Sequence, residues 1–582
     1  MLGGRGGRDR HTGYDDSRSV FMEDNQHYSS NSSSSSSPSS SACNRSNRLF
    51  WPVVALSFFT LLFFILTIAG FSRSTSSSSS PDTYPPYSLY SLVGPPLILP
   101  TTSSETPRTF TILQMNDVYE LMPLANGTRG GLARVAYLRS VLQQQQDPSS
   151  VLTVMAGDLL SPSALSIAIV NGAPLAGKQM VDTLNAMQVD LMVYGNHEFD
   201  LAQSDLQARL HEAKFTLLSL NSFQANTNNL YPGDGPSAGV NKGYAIRTVN
   251  GVRVLFIGLT IDSTQPSYVN ISNVDSSVQL AKALVASLSG QYDVAVALTH
   301  WDLSSDQQLV EKVPAIQFVM GGHEHANYHI TRGTRFTPIN KADSNDATVY
   351  IHRLAYYPST RQLFTQSHLQ RVDQSIPELP SVAAVANQWT ADGMAALTAQ
   401  GFQPYAVVIV LPSDVEWDGR SEEVRSNAGN ALTQTICQSL LYNATTNSTV
   451  AGQVALYNTG SVRVDDVLVG ELTQYDMLRI LPFSNVLQSV TVTGAVLKEV
   501  LMAGSVAGSG SFLSYCGGLS VVAGVWQLNE QPLSDTEQYV VSTSDYMVSS
   551  TELKNGVAGA KGQLMSQQLI AYLQGPTYVP QQ

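Results

Sequence analysis

The chain has 582 residues, a formal net charge of −13, and charged side chains at 13% of its positions. A chain of this length is too long for one hydrophobic core, so we expect two folded domains with additional segments. The acidic balance, with no basic stripe along the sequence, excludes a nucleic-acid polymer as an expected partner.

The amino-terminal part of the chain predicts a membrane anchor. Residues 1–48 contain a serine-rich run with few apolar groups, which predicts a disordered tail. Residues 49–71 are apolar and free of charge, enough to cross the ~30 Å hydrocarbon core of a bilayer as a signal-anchor helix. A buried core helix or a cleaved signal peptide is the alternative. Arg45 and Arg48 precede the run closely and only Arg73 follows, so the tail is expected in the cytoplasm, as in a single-pass type II protein.

The anchor is followed by a segment that predicts a stalk. Residues 72–107 are rich in serine and proline, and such segments are semi-extended. The remaining chain is therefore expected to be extracellular or lumenal, on the plasma membrane or an endomembrane. In that compartment Cys437 and Cys516 could form a disulfide, or they could remain buried thiols. Asparagines in Asn-X-Ser/Thr tripeptides are candidates for glycosylation, at Asn126, Asn270, Asn443 and Asn447.

Five polar islands follow apolar runs in the next part of the chain. Each run is rich in Val, Ile, Leu or Met, which predicts a buried strand with chemical groups at its carboxyl end. The loops of an open α/β fold converge at that end, so we expect the islands to form one site. The islands are residues 116–119 (Asn-Asp-Val-Tyr), 157–158 (Gly-Asp), 195–200 (Gly-Asn-His-Glu-Phe-Asp), 299–300 (Thr-His) and 321–325 (Gly-Gly-His-Glu-His).

The chemistry of the islands indicates a site for two divalent cations. They offer carboxylates, imidazoles and one amide oxygen, which suit zinc, manganese, magnesium or iron. Two cations about 3.5–4 Å apart could clamp a phosphoryl group, with one shared carboxylate between them. Asp158 is the predicted bridge, because a single carboxylate after Gly157 is uncrowded. A lone Gly-Asp is more often a turn, and a lone His300 more often a core residue, so the prediction depends on all five islands together.

In this combination the chain resembles the 5′-nucleotidase family of calcineurin-like metallophosphoesterases, over roughly residues 108 to 575. The resemblance implies an α/β protein with a four-layer αββα catalytic domain at residues 108–375. A linker helix at 376–405 and an α+β nucleotide-binding domain at 406–575 would follow. One metal would be held by Asp117, Asp158 and His325, the other by Asp158, Asn196, His300 and His323, and the catalytic dyad would be His197 and Asp200.

Tyr119 departs from the family pattern, because most members carry a histidine metal ligand at this position. A phenol binds a cation only after losing its proton, which ordinarily requires a pH near 10. Two interpretations compete: an active variant with a hydrogen-bonding tyrosine or an extra water, and an inactive descendant. Residues 131–134 and 161–181 are similar to a eukaryotic branch that shares the Asp-Val-Tyr form, and the other ligands are retained.

The second domain resembles the family's nucleotide-binding domain around residues 457–463, 470–473 and 481–485. By that resemblance two aromatic rings stack on the base, which gives affinity with little base discrimination. Tyr546 could instead be an ordinary strand aromatic, because the glycine-rich turn expected after it is replaced by residues 550–553. Arg425 is the likelier anion contact in an element that lacks about three residues of the family pattern. The predicted substrate residues are Arg425, Asn458, Arg463, Phe483, Asn485 and Tyr546.

The predicted function is metal-dependent hydrolysis of a nucleotide 5′-phosphate or a nucleotide-sugar pyrophosphate outside the cytosol. One alternative is a phosphoesterase for a non-nucleotide or cyclic-nucleotide ester. Another is an inactive surface protein that only binds nucleotides. The identity of the metal, the preferred base and the oligomeric state stay open at this point.

The charge asymmetry around residues 49–71 predicts the orientation of the chain. Protease added to sealed cells should digest the large carboxy-terminal part and leave the tail at residues 1–48 intact, as read by antibodies against each end. Detergent-permeabilised cells, in which both ends are digested, provide the control. A large domain that resists protease on sealed cells carrying surface-labelled protein would reverse the predicted orientation.

Overall fold

The structure is a computed structural model that describes residues 92–99, 105–231, 243–263, 265–427, 429–446, 454–576 and 578. All of them belong to one compact unit, Pro85–Gln582. The predicted tail and anchor, and most of the predicted stalk, lie outside the described residues. Within the described ranges, no helix is long and apolar enough to cross a membrane.

The first domain alternates strands and helices. Its strands are β1 (Arg108–Met115), β2 (Val151–Met155), β3 (Ile169–Val170), β4 (Ala173–Pro174), β5 (Leu191–Val193), β6 (Thr216–Leu218), β7 (Ser222–Gln224), β8 (Tyr244–Val249), β9 (Val252–Thr260), β10 (Val269–Ile271), β11 (Val294–His300), β12 (Ile316–Gly321), β13 (Tyr328–Arg332), β14 (Thr337–Lys341), β15 (Thr348–Tyr357) and β16 (Gln362–Arg371). Its helices are α1 (Leu132–Gln145), α2 (Lys178–Met187), α3 (Gln203–Glu212), α4 (Val274–Ser287), α5 (Leu303–Lys312) and α6 (Pro380–Ala399).

Two six-stranded sheets form the centre of this domain. The first has the order β16-β15-β1-β2-β5-β6, in which β1, β2, β5 and β6 are parallel. The second has the order β13-β14-β12-β11-β9-β8, in which β9, β11, β12 and β14 are parallel. The carboxyl ends of parallel neighbours lie at the same edge of a sheet, so each sheet gathers its polar islands at one edge.

Alternation along the strands places the two sheets face to face. On β1, Ile112 packs between the sheets with Phe256 and Phe318, whereas the next residue, Leu113, packs against the helices on the outer face. The outer face of the second sheet packs on α4 and α5 through residues such as Leu309. The domain therefore has four layers, in the order helix, sheet, sheet, helix. Each sheet packs on the other sheet with one face and on helices with the other face.

Helix α6, within the predicted linker at 376–405, packs on the first domain. Its buried residues Val382 and Leu397 belong to the same hydrophobic cluster as Val135 of α1 and Met180 of α2. At its start the Leu379 N–H donates to the Ala133 carbonyl at 2.9 Å. The chain therefore leaves the first domain after this helix.

The second domain is built on a mixed sheet with helices on both faces. Its strands are β17 (Val407–Val410), β18 (Trp417–Asp418), β19 (Val454–Asn458), β20 (Val467–Leu468), β21 (Glu471–Thr473), β22 (Val486–Thr493), β23 (Leu513–Cys516), β24 (Leu519–Val522), β25 (Val525–Leu528), β26 (Gln531–Pro532), β27 (Gln538–Ser544) and β28 (Val557–Leu564). Its helices are α7 (Ser421–Val424), α8 (Ala431–Thr446), α9 (Gln474–Ile480), α10 (Gly494–Ala503), α11 (Asp545–Ser550) and α12 (Met565–Leu573).

Five of these strands form the central sheet, in the order β23-β19-β27-β22-β28. Tyr457 of β19 faces the cluster that contains Leu569 of α12, whereas its neighbour Leu456 faces the cluster with Leu497 of α10. On this sheet Cys516 forms a disulfide with Cys437 of α8, with the two Cα atoms 6.0 Å apart. Of the two alternatives, a disulfide or two buried thiols, the structure therefore contains the disulfide.

Candidate metal centre

The polar islands meet at one edge of the two sheets. Asp117, Asp158 and Asn196 follow β1, β2 and β5 of the first sheet, and His300 ends β11 of the second. These side chains are buried, at 5% exposure or less. His323 and His325 follow β12 and complete the group from the second sheet. Strands from both sheets therefore supply one site, as the sequence predicts.

Short distances join the charged groups of the centre. His300 Nε2 lies 3.2 Å from Asp158 Oδ2 and 3.8 Å from Asp117 Oδ1. His325 Nε2 lies 3.5 Å from the same Asp117 oxygen. One ligand atom each from Asp117, Asp158 and His300 fall within 4.8 Å of one another, a spacing that suits a shared cation.

Several residues of the centre adopt left-handed backbone conformations. The φ angles are 52° at Asp117, 57° at Asp158, 94° at His323 and 65° at His325. Such conformations cost residues other than glycine about 1–3 kcal/mol each and cluster at functional sites. In each of these turns the chain bends at the end of its strand, so that the side chain stays near that end. A chain that continued in the extended conformation would carry the side chain away from it.

The site also has atoms that are prepared for a ligand outside the chain. Asp117 Oδ1, Asn196 Oδ1 and His300 Nε2 are buried without a hydrogen-bond partner. The second oxygen of Asp117 is satisfied, because it accepts from the His323 N–H at 2.9 Å and from the Asn116 amide at 2.8 Å. Buried polar atoms left unpaired are costly, and a bound cation would satisfy all three. The donor set therefore fits a divalent metal.

The charges of the centre favour a cation. Burial opposes the charge on His300, but the carboxylates of Asp158 and Asp117 raise its pKa to about 10, so a cation that binds its Nε2 would replace a proton there. Burial likewise opposes the charge on Asp158, yet His300 and His197 hold the pKa of that carboxyl well below its usual range. Burial lowers the pKa of His323 to about 4, which leaves its imidazole neutral and able to bind a metal.

Glu198 connects the loop after β2 to the loop after β5 through backbone hydrogen bonds. Its buried carboxylate accepts four backbone N–H groups, from Asp158 at 3.0 Å, Leu159 at 2.6 Å, Leu160 at 3.0 Å and Gly195 at 2.6 Å. Gly195 has no room for a side chain, since an added Cβ would lie 2.0 Å from Asp158 Oδ1. These contacts fix the bridge candidate Asp158 against the loop that carries Asn196 and His197.

A buried lysine braces the loop of His323 and His325. Lys341 donates to the carbonyls of Trp301 and Gly322 and pairs with Asp306 at 3.0 Å and with Glu324. Burial opposes the charge on Lys341, but the carboxylates of Asp306 and Glu324 raise its pKa. A fully buried cation with these partners ties the loop after β11 to the loop after β12, because it is costly to leave unpaired.

Tyr119 makes three polar contacts at the centre. Its hydroxyl lies 3.0 Å from Asp158 Oδ2 and 3.1 Å from His325 Nε2, and it accepts from Arg463 Nη2 at 2.7 Å. Burial and the Asp158 charge raise the pKa of Tyr119 above its ordinary value, against the effect of Arg463, so the phenol is neutral. In this structure Tyr119 thus occupies the centre as a hydrogen-bonding residue.

The predicted dyad lies on the short 3-10 helix His197–Asp200. His197 Nδ1 lies 2.6 Å from Asp200 Oδ2, and the His197 N–H donates to Asp158 Oδ1 at 2.9 Å. The carboxylate of Asp200 can hold the imidazole in one tautomer, with Nε2 directed elsewhere. The ring of Phe483, from the second domain, is centred 6.1 Å from the His197 ring.

Two predicted substrate arginines reach the centre from the second domain. Arg463 is buried, and its guanidinium carbon lies 5.1 Å from the centre of the Tyr119 ring. Burial and the like charge of Arg463 lower the pKa of Arg425. A pair of guanidinium groups beside a metal centre can bind a phosphate.

The remaining predicted substrate residues differ in their contacts and in their exposure to solvent. Asn458 donates to the Gly510 carbonyl at 3.3 Å and accepts from Ser461 Oγ at 3.0 Å, so its side chain stabilises its own loop. The Asn485 carbonyl accepts from the Met565 N–H at 2.9 Å. Tyr546 lies on α11 with 49% of its surface exposed.

Several residues that form hydrogen bonds or ion pairs between the two domains, close to the metal centre, were not assigned a role from the sequence. Glu120 accepts from Tyr475 at 3.1 Å and pairs with Arg479 at 3.3 Å. Asp465 lies 3.0 Å from the His325 ring. Both acidic residues lie within two positions of assigned ones, at Tyr119 and Arg463, which is the signal that could have identified them.

Two family models match the chain. Residues 110–327 match the calcineurin-like phosphoesterase model, and residues 410–554 match the 5′-nucleotidase C-terminal domain. The first match contains the predicted metal and dyad residues. The second contains the predicted substrate residues.

The chain is also similar to whole proteins. It is 24% identical to protein 5NUC of Lutzomyia longipalpis over 66% of this chain and 69% of that protein. It is 25% identical to the 5′-nucleotidase of Homo sapiens over 67% of this chain and 70% of that protein. The crystal structure of a 5′-nucleotidase precursor from Thermus thermophilus superposes with a TM-score of 0.66 at 21% identity, over 80% of this chain and 96% of that one. That last likeness establishes the fold.

The contacts of Tyr119 lead to a prediction about two substitutions. Tyr119→His introduces an imidazole beside Asp158 and His325, and should lower the free metal concentration required for half-maximal activity. Tyr119→Phe removes the acceptor of the buried Arg463, and an unsatisfied charged donor costs about 1.5–3 kcal/mol. We therefore expect kcat/KM to fall roughly 10- to 150-fold in Tyr119→Phe.

Metal titrations of phosphate release distinguish the roles of this position. A hydrogen-bonding role predicts that Tyr119→Phe changes the metal requirement less than it changes kcat/KM. A phenolate ligand predicts a large increase in the metal requirement of Tyr119→Phe. Identical metal titrations for the wild type and both variants would contradict a place for residue 119 in the metal centre.

Proposed function

Because the chain is a metallophosphoesterase of the 5′-nucleotidase family, we propose that it hydrolyses a nucleotide 5′-phosphate or a nucleotide-sugar pyrophosphate outside the cytosol. The observation that carries this proposal is the contact between Arg463 and Tyr119. It brings a cation of the nucleotide-binding domain to the metal centre of the catalytic domain, 2.7 Å from the tyrosine hydroxyl. A substrate with both a phosphate and a base fits a site that is lined by both domains.

Two divalent metal ions would be held by the residues of the centre. When bound, two cations lower the pKa of a water nucleophile and stabilise the charge that develops on a phosphoryl group. The unpaired atoms of Asp117, Asn196 and His300 support this assignment. The ligands would be Asp117, Asp158 and His325 for one ion, and Asp158, Asn196, His300 and His323 for the other.

His197 is the proposed proton donor. Hydrolysis releases an alcohol or phosphate oxygen that needs a proton, and an imidazole can supply it from one ring nitrogen. The 2.6 Å contact between His197 Nδ1 and Asp200 supports this role, because the carboxylate would stabilise the imidazolium, whose Nε2–H would be given to the leaving oxygen. Arg425 and Arg463 would orient the phosphate, and Phe483, beside His197, would stack on the base.

The proposed location is the outer side of a membrane, through the predicted type II anchor at residues 49–71. The Cys437–Cys516 disulfide supports an oxidising compartment, since such bonds are rare in the cytosol. We also propose that the catalytic domain ends at residue 375 and that the nucleotide-binding domain begins after residue 405.

A phosphoesterase for a non-nucleotide or cyclic-nucleotide ester is the second candidate. The divergent loop after Tyr546, at residues 550–553, favours it. These residues lack the glycines that permit left-handed turns. The same centre could then act on an ester without stacking its alcohol group.

A comparison of two substrates tests the nucleotide proposal. Stacking is worth about 1–3 kcal/mol per base, so Phe483→Ala and Tyr546→Ala should each lower kcat/KM for a nucleotide roughly 5- to 150-fold. Hydrolysis of a small chromogenic phosphate ester, which has no base, should be nearly unchanged. The assay measures phosphate release from nucleotides, nucleotide sugars, cyclic nucleotides and the small ester.

Tyr405→Ala is a matched control, because Tyr405 is a tyrosine at the end of the linker, directly before the second domain, and is 74% exposed. It should leave both substrates unaffected. Equal losses on both substrates in Phe483→Ala would mean that the ring supports the fold. No loss on either substrate in both ring variants would favour the non-nucleotide phosphoesterase.

A further inference from the structure

A short segment of the second domain makes three contacts with the first domain beside the metal centre. Arg463 donates to Tyr119 at 2.7 Å. Two residues later, Asp465 accepts from His325, and Asp466 pairs with Arg129 at 2.9 Å. One of these partners, His325, is a predicted metal ligand.

The contact between Asp465 and His325 is buried, and Ser421 Oγ lies 3.2 Å from the same His325 Nδ1. Asp465 Oδ2 lies 3.0 Å from His325 Nδ1, and the two side chains are 7% and 3% exposed. The Ser344 hydroxyl donates to the same oxygen, and the Ser421 N–H donates to Oδ1 at 2.9 Å. Donors from both domains therefore hold this carboxylate in one position.

This contact determines which nitrogen of His325 is available. A carboxylate accepts from a protonated nitrogen, so the proton is on Nδ1 and the lone pair is on Nε2. Nε2 faces the centre, 3.5 Å from Asp117 Oδ1 and 3.1 Å from the Tyr119 hydroxyl. Metal-bound histidines almost always donate their other N–H to a carboxylate, carbonyl or water, which fixes the ring and raises its basicity.

We infer that Asp465 is a positioning residue for the metal ligand His325 and that it acts across the domain boundary. The inference rests on the proposed two-metal hydrolase. Its consequence is that one of the two metal sites has its full affinity only while the second domain is docked. By thermodynamic linkage, metal binding at this site then stabilises the docked arrangement by the same factor.

The test measures Mn²⁺ binding to the metal-free full chain, with free Mn²⁺ read by electron paramagnetic resonance. Asp465→Asn keeps the shape of the side chain and removes its charge. Loss of such an outer carboxylate weakens metal binding about 10- to 100-fold, so one of the two Mn²⁺ sites should weaken by that factor. The other site should retain its wild-type dissociation constant.

Asp466→Asn is the matched control, because it removes an ion pair across the same interface without touching a predicted ligand. It weakens docking alone, so it should weaken the same site by much less than Asp465→Asn does and leave the other site at its wild-type dissociation constant. Ser344→Ala provides a second variant should Asp465→Asn fail to fold, as judged by circular dichroism. It removes one donor to the Asp465 carboxylate and should weaken the same site, by less than Asp465→Asn does.

The outcomes separate this inference from the proposed function. A wild type that binds two Mn²⁺ ions, with Asp465→Asn unchanged, overturns the positioning role only. Equal weakening in Asp465→Asn and Asp466→Asn also overturns it, because the interface as a whole would then be responsible. A wild type that binds no Mn²⁺ and releases no phosphate from nucleotides overturns the proposed function itself.

Discussion

Two buried carboxylates, Asp117 and Asp158, lie side by side at the ends of neighbouring parallel strands, and the rest of the site is arranged around their charge. Buried carboxylates are costly unless they are paired or bound to cations. Here His300 lies between them, and backbone and amide donors hold the oxygens that do not face it. The strained backbone at both residues shows that the fold maintains this arrangement at a cost in stability.

The carboxylates also explain why two domains meet at this point. Burial opposes the charge on Arg463, but the carboxylate of Asp158 helps to raise its pKa, so this buried residue carries a positive charge toward the centre. Tyr119 is the link, because its hydroxyl contacts Asp158 in one domain and Arg463 in the other. In this chain the residue at the position of the usual histidine connects the domains through a hydrogen bond. The departure from the family pattern is therefore a change of contact within a site that keeps its other ligand types.

Much of this site could be predicted from sequence because its signals are local. A polar island after an apolar run places a residue at a strand end, and parallel strands bring such ends together. The pairing of His197 with Asp200 follows from their spacing in one turn. The identification of the family added the ligand sets and the second domain. Its roles for the individual residues stay predictions, although the structure places the metal and dyad residues together.

The contacts between the domains could not be predicted in the same way. Tyr119 and Arg463 are 344 residues apart, and no periodicity relates their positions. The role of Asp465 depends on the orientation of one imidazole ring in the other domain. Tyr546 was assigned by resemblance alone, and its exposure depends on how α11 packs before a turn that has diverged. The pairing of Cys437 with Cys516 could not be predicted for a similar reason, since spacing along the chain does not determine whether two cysteines lie close together.

The central proposal is that Asp158 would be shared by two metal ions on which hydrolysis by this chain depends. The most direct measurement is metal content per chain by elemental analysis, together with phosphate release, for the wild type and Asp158→Ala. We expect two divalent ions per chain and active hydrolysis in the wild type, and one ion or none with no hydrolysis in Asp158→Ala. An Asp158→Ala protein that folds, retains two ions and hydrolyses its substrate at the wild-type rate would contradict this proposal.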